Sequence, residues 1–222
     1  MGLRHRKRSE PRHVVEKRRR VPVKKFSRWP KPKSPGYLSR KGLEGILKEP
    51  SEFKRKILLL GYLVDKLSRN KVEAVIVGGQ AVEIYTAGQH TTGDVDLAVS
   101  DRGKTEKVLR KLGFRQEGRV WIHLEWNIAV DIVASSLVEV EDKNRIRRFK
   151  AGPFTLNLYG LEDLIVQRLC SAKYWHYPED LEQAATLLAA HKDRIDTQYL
   201  QRKAEKEKVD DLLQKIKEKL RL

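Results

Sequence analysis

The first sustained apolar spacing in the chain is Phe53, Ile57, Leu60, Val64 and Leu67, which recur in steps of three and four. That period predicts a helix over 51–69, with Ser51 placed to cap it. Apolar runs and helical stretches then alternate. The pattern predicts strand 73–77, helix 80–87 ending near Gly88, strand 94–99, helix 102–112 ending at Gly113, strands near 114–117 and 120–126, and strand 128–134. A short strand at 154–158 and helices near 161–174 and 178–191 follow, and Pro178 suits a first helical position. From Asp193 to Leu222, the residues Val209, Leu212, Leu213, Ile216 and Leu220 line one side of a Lys/Glu-rich helix expected to pack against the body or a partner. Strands interleaved with helices predict an α/β (α+β) sandwich, a mixed sheet flanked by helices, and no internal repeat is found.

The first forty residues break this picture. They show no periodicity, and Pro11, Pro22, Pro30, Pro32 and Pro35 interrupt them. Charge is what marks them: the chain carries a net +17, and residues 1–41 hold 16 Lys or Arg against only Glu10 and Glu16. Like charges broken by proline do not collapse by themselves, and a dense cationic block has a polyanion as its natural partner. Phe26, Trp29 and Tyr37 supply flat faces for base stacking beside the cations. RNA is the expected ligand, held by Arg4, Arg6, Lys7, Arg8, Arg12, Lys17, Arg18, Arg19, Arg20, Lys24, Lys25, Arg28, Lys31, Lys33, Arg40 and Lys41 with those aromatics. The resulting division is an arm at 1–50, an α/β core at 51–160 and a helical region at 161–222.

The lone Cys170 excludes a disulfide framework within the chain, and one Cys with six scattered His builds no zinc pattern. The N-terminal charge is not followed by an apolar stretch, and the longest apolar run, Ile57 to Leu60, is too short for a bilayer. A cytoplasmic protein without membrane insertion is expected.

Candidate chemistry sits in three carboxylates. Asp94 and Asp96 lie two apart in Thr92-Gly93-Asp94-Val95-Asp96-Leu97, so on a strand they project together while Val95 and Leu97 enter the core. Asp131 is embedded in a second apolar run, Ile128-Ala129-Val130-Asp131-Ile132-Val133, where a divalent cation shared with the first two would remove the cost of its charge. Upstream, Gly78-Gly79-Gln80-Ala81 forms an unbranched turn before a helix, which suits phosphate oxygens approaching backbone N–H groups. It is neither a Walker loop nor a dinucleotide fingerprint.

In these residues the chain resembles the nucleotidyltransferase superfamily typified by DNA polymerase beta, and most closely its small single-domain members, which include abortive-infection-type toxins. The resemblance covers roughly 72–190 and extends to Leu161-Glu162-Asp163-Leu164 and Pro178-Glu179-Asp180-Leu181. Relatives often carry Lys where Arg168 stands and Arg where His90 stands. The resemblance implies a metal-dependent transferase in which Asp94, Asp96 and Asp131 bind Mg2+ or Mn2+ and act in catalysis. Two ions about 3.5–4 Å apart would activate the acceptor and hold the leaving oxygens of a nucleoside triphosphate such as ATP. Gly78, Gly79, Gln80, Thr92, Arg168 and Lys173 are the expected nucleotide contacts, and rRNA in the ribosome or a tRNA is the expected acceptor or partner. Two other functions fit the same residues: a ribosome-associated structural module with a vestigial site, and a toxin that modifies tRNA or protein. Trp175-His176-Tyr177 is expected to pack a helix junction rather than stack a base, His90 to be a loop histidine, and Trp121 and Trp126 to belong to the sheet.

Overall fold

The computed structural model describes residues 40–135, 137 and 143–221. The arm residues up to 39 lie outside the described residues, and Arg40 and Lys41 enter only as the first backbone positions of a helix. In chain order the elements are α1 (Arg40–Leu47), α2 (Glu52–Arg69), β1 (Ala74–Ile76), α3 (Gly78–Tyr85), β2 (Asp94–Val99), α4 (Arg102–Leu112), β3 (Arg115–Glu117), β4 (Val120–His123) and β5 (Ile128–Ala134). After a 3-10 turn at Lys143–Arg145 come β6 (Arg147–Ala151), β7 (Phe154–Leu158), α5 (Leu161–Tyr174), α6 (Pro178–His191), α7 (Thr197–Lys206) and α8 (Asp210–Leu220).

Local chemistry sets several of these boundaries. The Ser51 hydroxyl accepts the Lys54 N–H and starts α2, and Asp101 accepts the Lys104 N–H at 2.9 Å and starts α4. Helix α4 stops at Gly113, whose φ of 97° is open to glycine and costly for other residues. Helix α3 begins earlier than the apolar pattern implies, at Gly78 itself, and its start buries Gly78, Gln80, Ala81 and Val82.

The seven strands form one mixed sheet in the order β3-β4-β5-β2-β1-β7-β6. Strands β2 and β5 run parallel, as do β1 and β7, and the remaining neighbours are antiparallel. Side chains alternate across it. Val95, Leu97, Val130, Ile132 and Ile76 face the main core, which Leu59, Leu63 and Leu67 of α2, Leu109 of α4, Leu164 and Leu169 of α5, and Leu187 of α6 complete. The opposite face carries a smaller apolar group, Val75, Val77, Ala98, Ala134 and Leu137. Asp94, Asp96 and Asp131, out of phase with the core positions, fall on that less covered face.

Other features depart from the sequence-based expectation, among them β4, which ends at His123 rather than at 126 and leaves Trp126 buried in the turn that follows. Residues 40–47, assigned to the arm, form a helix whose Ile46 is buried in the main core. Strand β6, Arg-Arg-Phe-Lys-Ala, was not anticipated, because an edge strand with Arg147, Arg148 and Lys150 exposed lacks the apolar alternation of a half-buried one. The single C-terminal helix is two, α7 and α8, broken at Lys208 with φ 56°. Val209 is buried just after the break, so α8 folds back onto the core. Among the described residues no helix is long and apolar enough to cross a membrane.

Candidate active site

The parallel pairing of β2 with β5 places Asp94 beside Ala129 and Asp96 beside Asp131. Laterally paired residues share a face, so Asp131, distant in sequence, joins Asp94 and Asp96 on one face of two neighbouring interior strands. Register sets this. Asp131 is buried and Asp94 and Asp96 are half-buried.

Gly78 closes the site from the neighbouring strand. Its φ is +60°, and a Cβ there would lie 2.0 Å from Asp96 Oδ2, so α3 reaches the carboxylate only because residue 78 has no side chain. The Gly79 N–H donates to Asp96, and the Val77 N–H donates to the Asp96 carbonyl at 3.0 Å. Burial raises the Asp96 pKa, and repulsion from Asp94 and Asp131 adds to the rise. The Gly79 N–H and the Arg168 charge act in the other direction.

Thr92 lies over the turn. Its hydroxyl donates to Asp94 Oδ1 at 3.4 Å and is 3.1 Å from where a Gly79 Cβ would stand. Arg168, on α5, pairs with Asp180 of α6 at 3.1 Å and stays near enough to Asp96 to favour its charged form. Gln80 is fully buried, its Nε2 donating to Glu83 Oε2 at 3.1 Å. Lys173 is placed elsewhere: its ammonium donates to the Lys208 carbonyl at 2.6 Å and Asp211 at 2.7 Å, fastening α5 to α8. His90 faces the Thr186 hydroxyl at 3.2 Å and ties its loop to α6.

Two residues near the acids escaped the sequence reading. Lys56 of α2 donates to Glu83 and to the Thr92 carbonyl, both at 2.8 Å, and so holds the loop leading into Asp94. A lone acid inside the apolar run Ala81-Val82-Glu83-Ile84 was the available signal that a buried cation must meet it. Arg119, from the β3–β4 turn, lies 3.1 Å from Asp131 Oδ2 with its side chain 84% exposed. No local pattern announces that contact. It follows from Val120 pairing with Asp131 across β4 and β5.

Among the described residues no group of three or more His, Cys, Asp or Glu is drawn together closely enough to hold a metal ion. The Asp131 carboxylate is directed to Arg119, while backbone register keeps it next to Asp96. In kind, the donors fit a hard divalent cation: three carboxylates on adjacent strands, with no sulfur or imidazole among them.

A crystal structure of an antigenic nucleotidyltransferase-like protein from Paracoccidioides brasiliensis matches this fold with a TM-score of 0.51 and 16% identity, covering 75% of this chain and 92% of that one. No curated protein matches the chain. A family model described as nucleotidyltransferase of unknown function (DUF6036) matches residues 59–221, which include the glycine turn, all three aspartates and the C-terminal helices, and the chain therefore belongs to this nucleotidyltransferase family.

Proposed function

We propose that this protein transfers a nucleoside monophosphate from a nucleoside triphosphate to an acceptor hydroxyl, with the basic arm bringing RNA to the site. One observation carries the catalytic half: Asp96 and Asp131 are register partners while Gly78, in a conformation suited to glycine, brings the start of α3 onto Asp96. Asp94, Asp96 and Asp131 would hold Mg2+ or Mn2+, which when bound supplies charge neutralisation at the phosphoryl oxygens and activation of the acceptor. The backbone N–H groups that begin α3 receive phosphate oxygens, and Arg168 adds positive charge beside them. The acceptor oxygen forms a bond to the α-phosphorus, pyrophosphate departs, and the hydroxyl proton is lost to water. Support for the arm is electrostatic: 16 of the 47 basic residues fall in the first 41 positions.

The test is incorporation of labelled nucleotide into RNA, with ribosomes and tRNA as acceptors, by the intact chain and by Asp94→Asn/Asp96→Asn. Incorporation that the double substitution abolishes supports the reading. No incorporation with any of the four triphosphates, in magnesium or manganese, refutes it and favours a ribosome-associated binding module. That second reading draws on the Arg119–Asp131 pair, in which a cation of the chain itself already occupies one of the acids.

A further inference from the structure

One half of the acid-bearing sheet face is open. Strand pairing carries that face from the aspartates to the β3 edge: Ala129 lies beside Asp94, Val120 beside Asp131, Ile122 beside Ala129 and Arg115 beside Ile122. Laterally paired residues share a face, so these side chains stand on the same side as the three carboxylates. The alternation of burial agrees. Trp121, His123 and Val130 are buried, whereas Val120, Ile122 and Ala129 are partly exposed. Among the described residues, none of these three aliphatic side chains takes part in either apolar cluster. Toward β6 the same face is closed, because Val75, Val77 and Ala98 are buried with Leu137, and Ile146 and Tyr159 pack against them. The open surface therefore leads from the acids over β5 and β4 toward β3.

The rim of this surface is cationic. Arg115 of β3 is exposed, and Arg119, in the turn that follows, reaches Asp131 while its side chain stays largely in solvent. Glu117 shares the rim, yet from Arg102 to Arg119 the chain holds seven Lys or Arg against two Glu. Charge on an edge strand can serve only to block pairing with another sheet, and exposed Arg148 and Lys150 on β6 fit that role. At β3 the cations instead border an uncovered aliphatic floor, two strand spacings or about 10 Å across, that ends at the acids. Such a surface fits a ligand that is apolar on its flat faces and carries a repeating negative charge. A single-stranded polynucleotide has both, with bases and riboses for the floor and phosphates for the arginines. A small-molecule or protein hydroxyl brings no repeating phosphate to the rim.

We infer that Val120, Ile122 and Ala129, with Arg115 and Arg119, seat the end of a single-stranded RNA whose terminal ribose hydroxyl is the acceptor. This rests on the nucleotidyl-transfer reading and names the acceptor that reading left as any hydroxyl. The ribose oxygen bonds to the α-phosphorus of the nucleoside triphosphate, pyrophosphate leaves, and the hydroxyl proton passes to water. Arg119 changes partner in this account. So exposed an arginine leaves Asp131 at small cost, its guanidinium meets an acceptor phosphate, and the carboxylate is free for a divalent cation. Aliphatic contacts do not read base edges, so the surface accepts any sequence.

The test uses the full chain and short single-stranded oligoribonucleotides carrying 4-thiouridine at the 3′ or the 5′ end. Photo-crosslinking from one terminus is expected to label the peptide spanning 115–131, independently of whatever the basic arm holds. Arg115→Ala/Arg119→Ala is expected to lower the slope of log affinity against log salt by about 1.4, two phosphates at about 0.7 each, and to remove that crosslink. The melting temperature should hold, since both side chains are exposed. Arg148→Ala/Lys150→Ala, equal in charge but separated from the acids by the closed half of the face, is expected to leave the crosslink in place. Ile122→Glu sets a negative charge on the floor and should remove the crosslink without touching either arginine.

A crosslink confined to another segment, a salt slope unchanged by the Arg115/Arg119 pair, or equal losses from the β6 pair would overturn the inference. Transfer that labels a protein in place of RNA would do the same. Crosslinking to 115–131 in a chain that transfers no nucleotide would sink the catalytic reading and leave an RNA-binding sheet face. Transfer to RNA that survives both Ile122→Glu and loss of the two arginines would leave the catalytic reading and sink this surface.

Discussion

Replacing Gly78 with Ala tests whether α3 is built to touch Asp96. Two penalties combine. Holding a non-glycine residue at φ +60° costs about 1–2 kcal/mol. The new Cβ would stand 2.0 Å from Asp96 Oδ2, so either the carboxylate swings away from the Gly79 N–H or the start of α3 lifts off the sheet. Such overpacking costs about 1–3 kcal/mol. A combined loss of about 2–5 kcal/mol, at about 2–4 °C per kcal/mol for a chain of this size, should be plain in thermal unfolding followed by circular dichroism. Gly79→Ala is the internal control. Gly79 is not among the residues of positive φ, and its Cβ would approach only Thr92, at 3.1 Å, a side chain able to yield by a few tenths of an ångström. Helix propensity favours alanine there by about 0.8–1.0 kcal/mol, so Gly79→Ala should fall near wild type. Wild-type melting for Gly78→Ala, or an equal loss in Gly79→Ala, would refute the close-approach argument.

Lys56→Met removes one member of the buried Lys56–Glu83 pair and should cost about 3–5 kcal/mol in denaturant unfolding; adding Glu83→Gln should restore part of it, and additive losses would count against the pair. His123 donates from Nε2 to the Leu112 carbonyl and accepts the Trp126 N–H at Nδ1, which fixes it neutral, and burial lowers its pKa as it does that of His191. The unfolded chain then takes up protons first, so stability present above about pH 6.5 should fall as the pH drops through that value; His123→Phe with His191→Phe should flatten the slope between pH 7 and 5, and an unaltered slope would be decisive against it. Arg119→Ala frees Asp131 and should strengthen Mn2+ binding, read by electron paramagnetic resonance, by up to about fivefold, because so exposed an arginine contributes about 0.2–1 kcal/mol; unchanged or weaker binding would show that Arg119 does not compete.

Elements whose causes are local were legible in the sequence. The apolar stripe of α2 with its Ser51 cap, α4 between Asp101 and Gly113, and α6 opening at Pro178 each rest on contacts within a few residues, and so did the two acids of β2 flanked by core-facing Val95 and Leu97. The basic arm was equally plain as composition, because net charge needs no fold.

What remained hidden depends on pairing between distant segments. The grouping of Asp131 with the first two acids was legible, but the register that sets it beside Asp96, and the pairing of the same strand through which Arg119 meets it, were not. Lys173 and Arg168 look alike as cations on one helix, yet packing sends the first to Asp211 of α8 and the second to Asp180 of α6. Strand β6 is stabilised by its ladder to β7 rather than by an apolar rhythm, and the break at Lys208 follows from the burial of Val209 rather than from any glycine or proline. The rings of Trp175 and Tyr177 have the composition of a core, and only the left-handed residue between them turns them to solvent. Periodicity records which face of an element is apolar, whereas which partner that face meets is settled by the free energy of the whole packed arrangement.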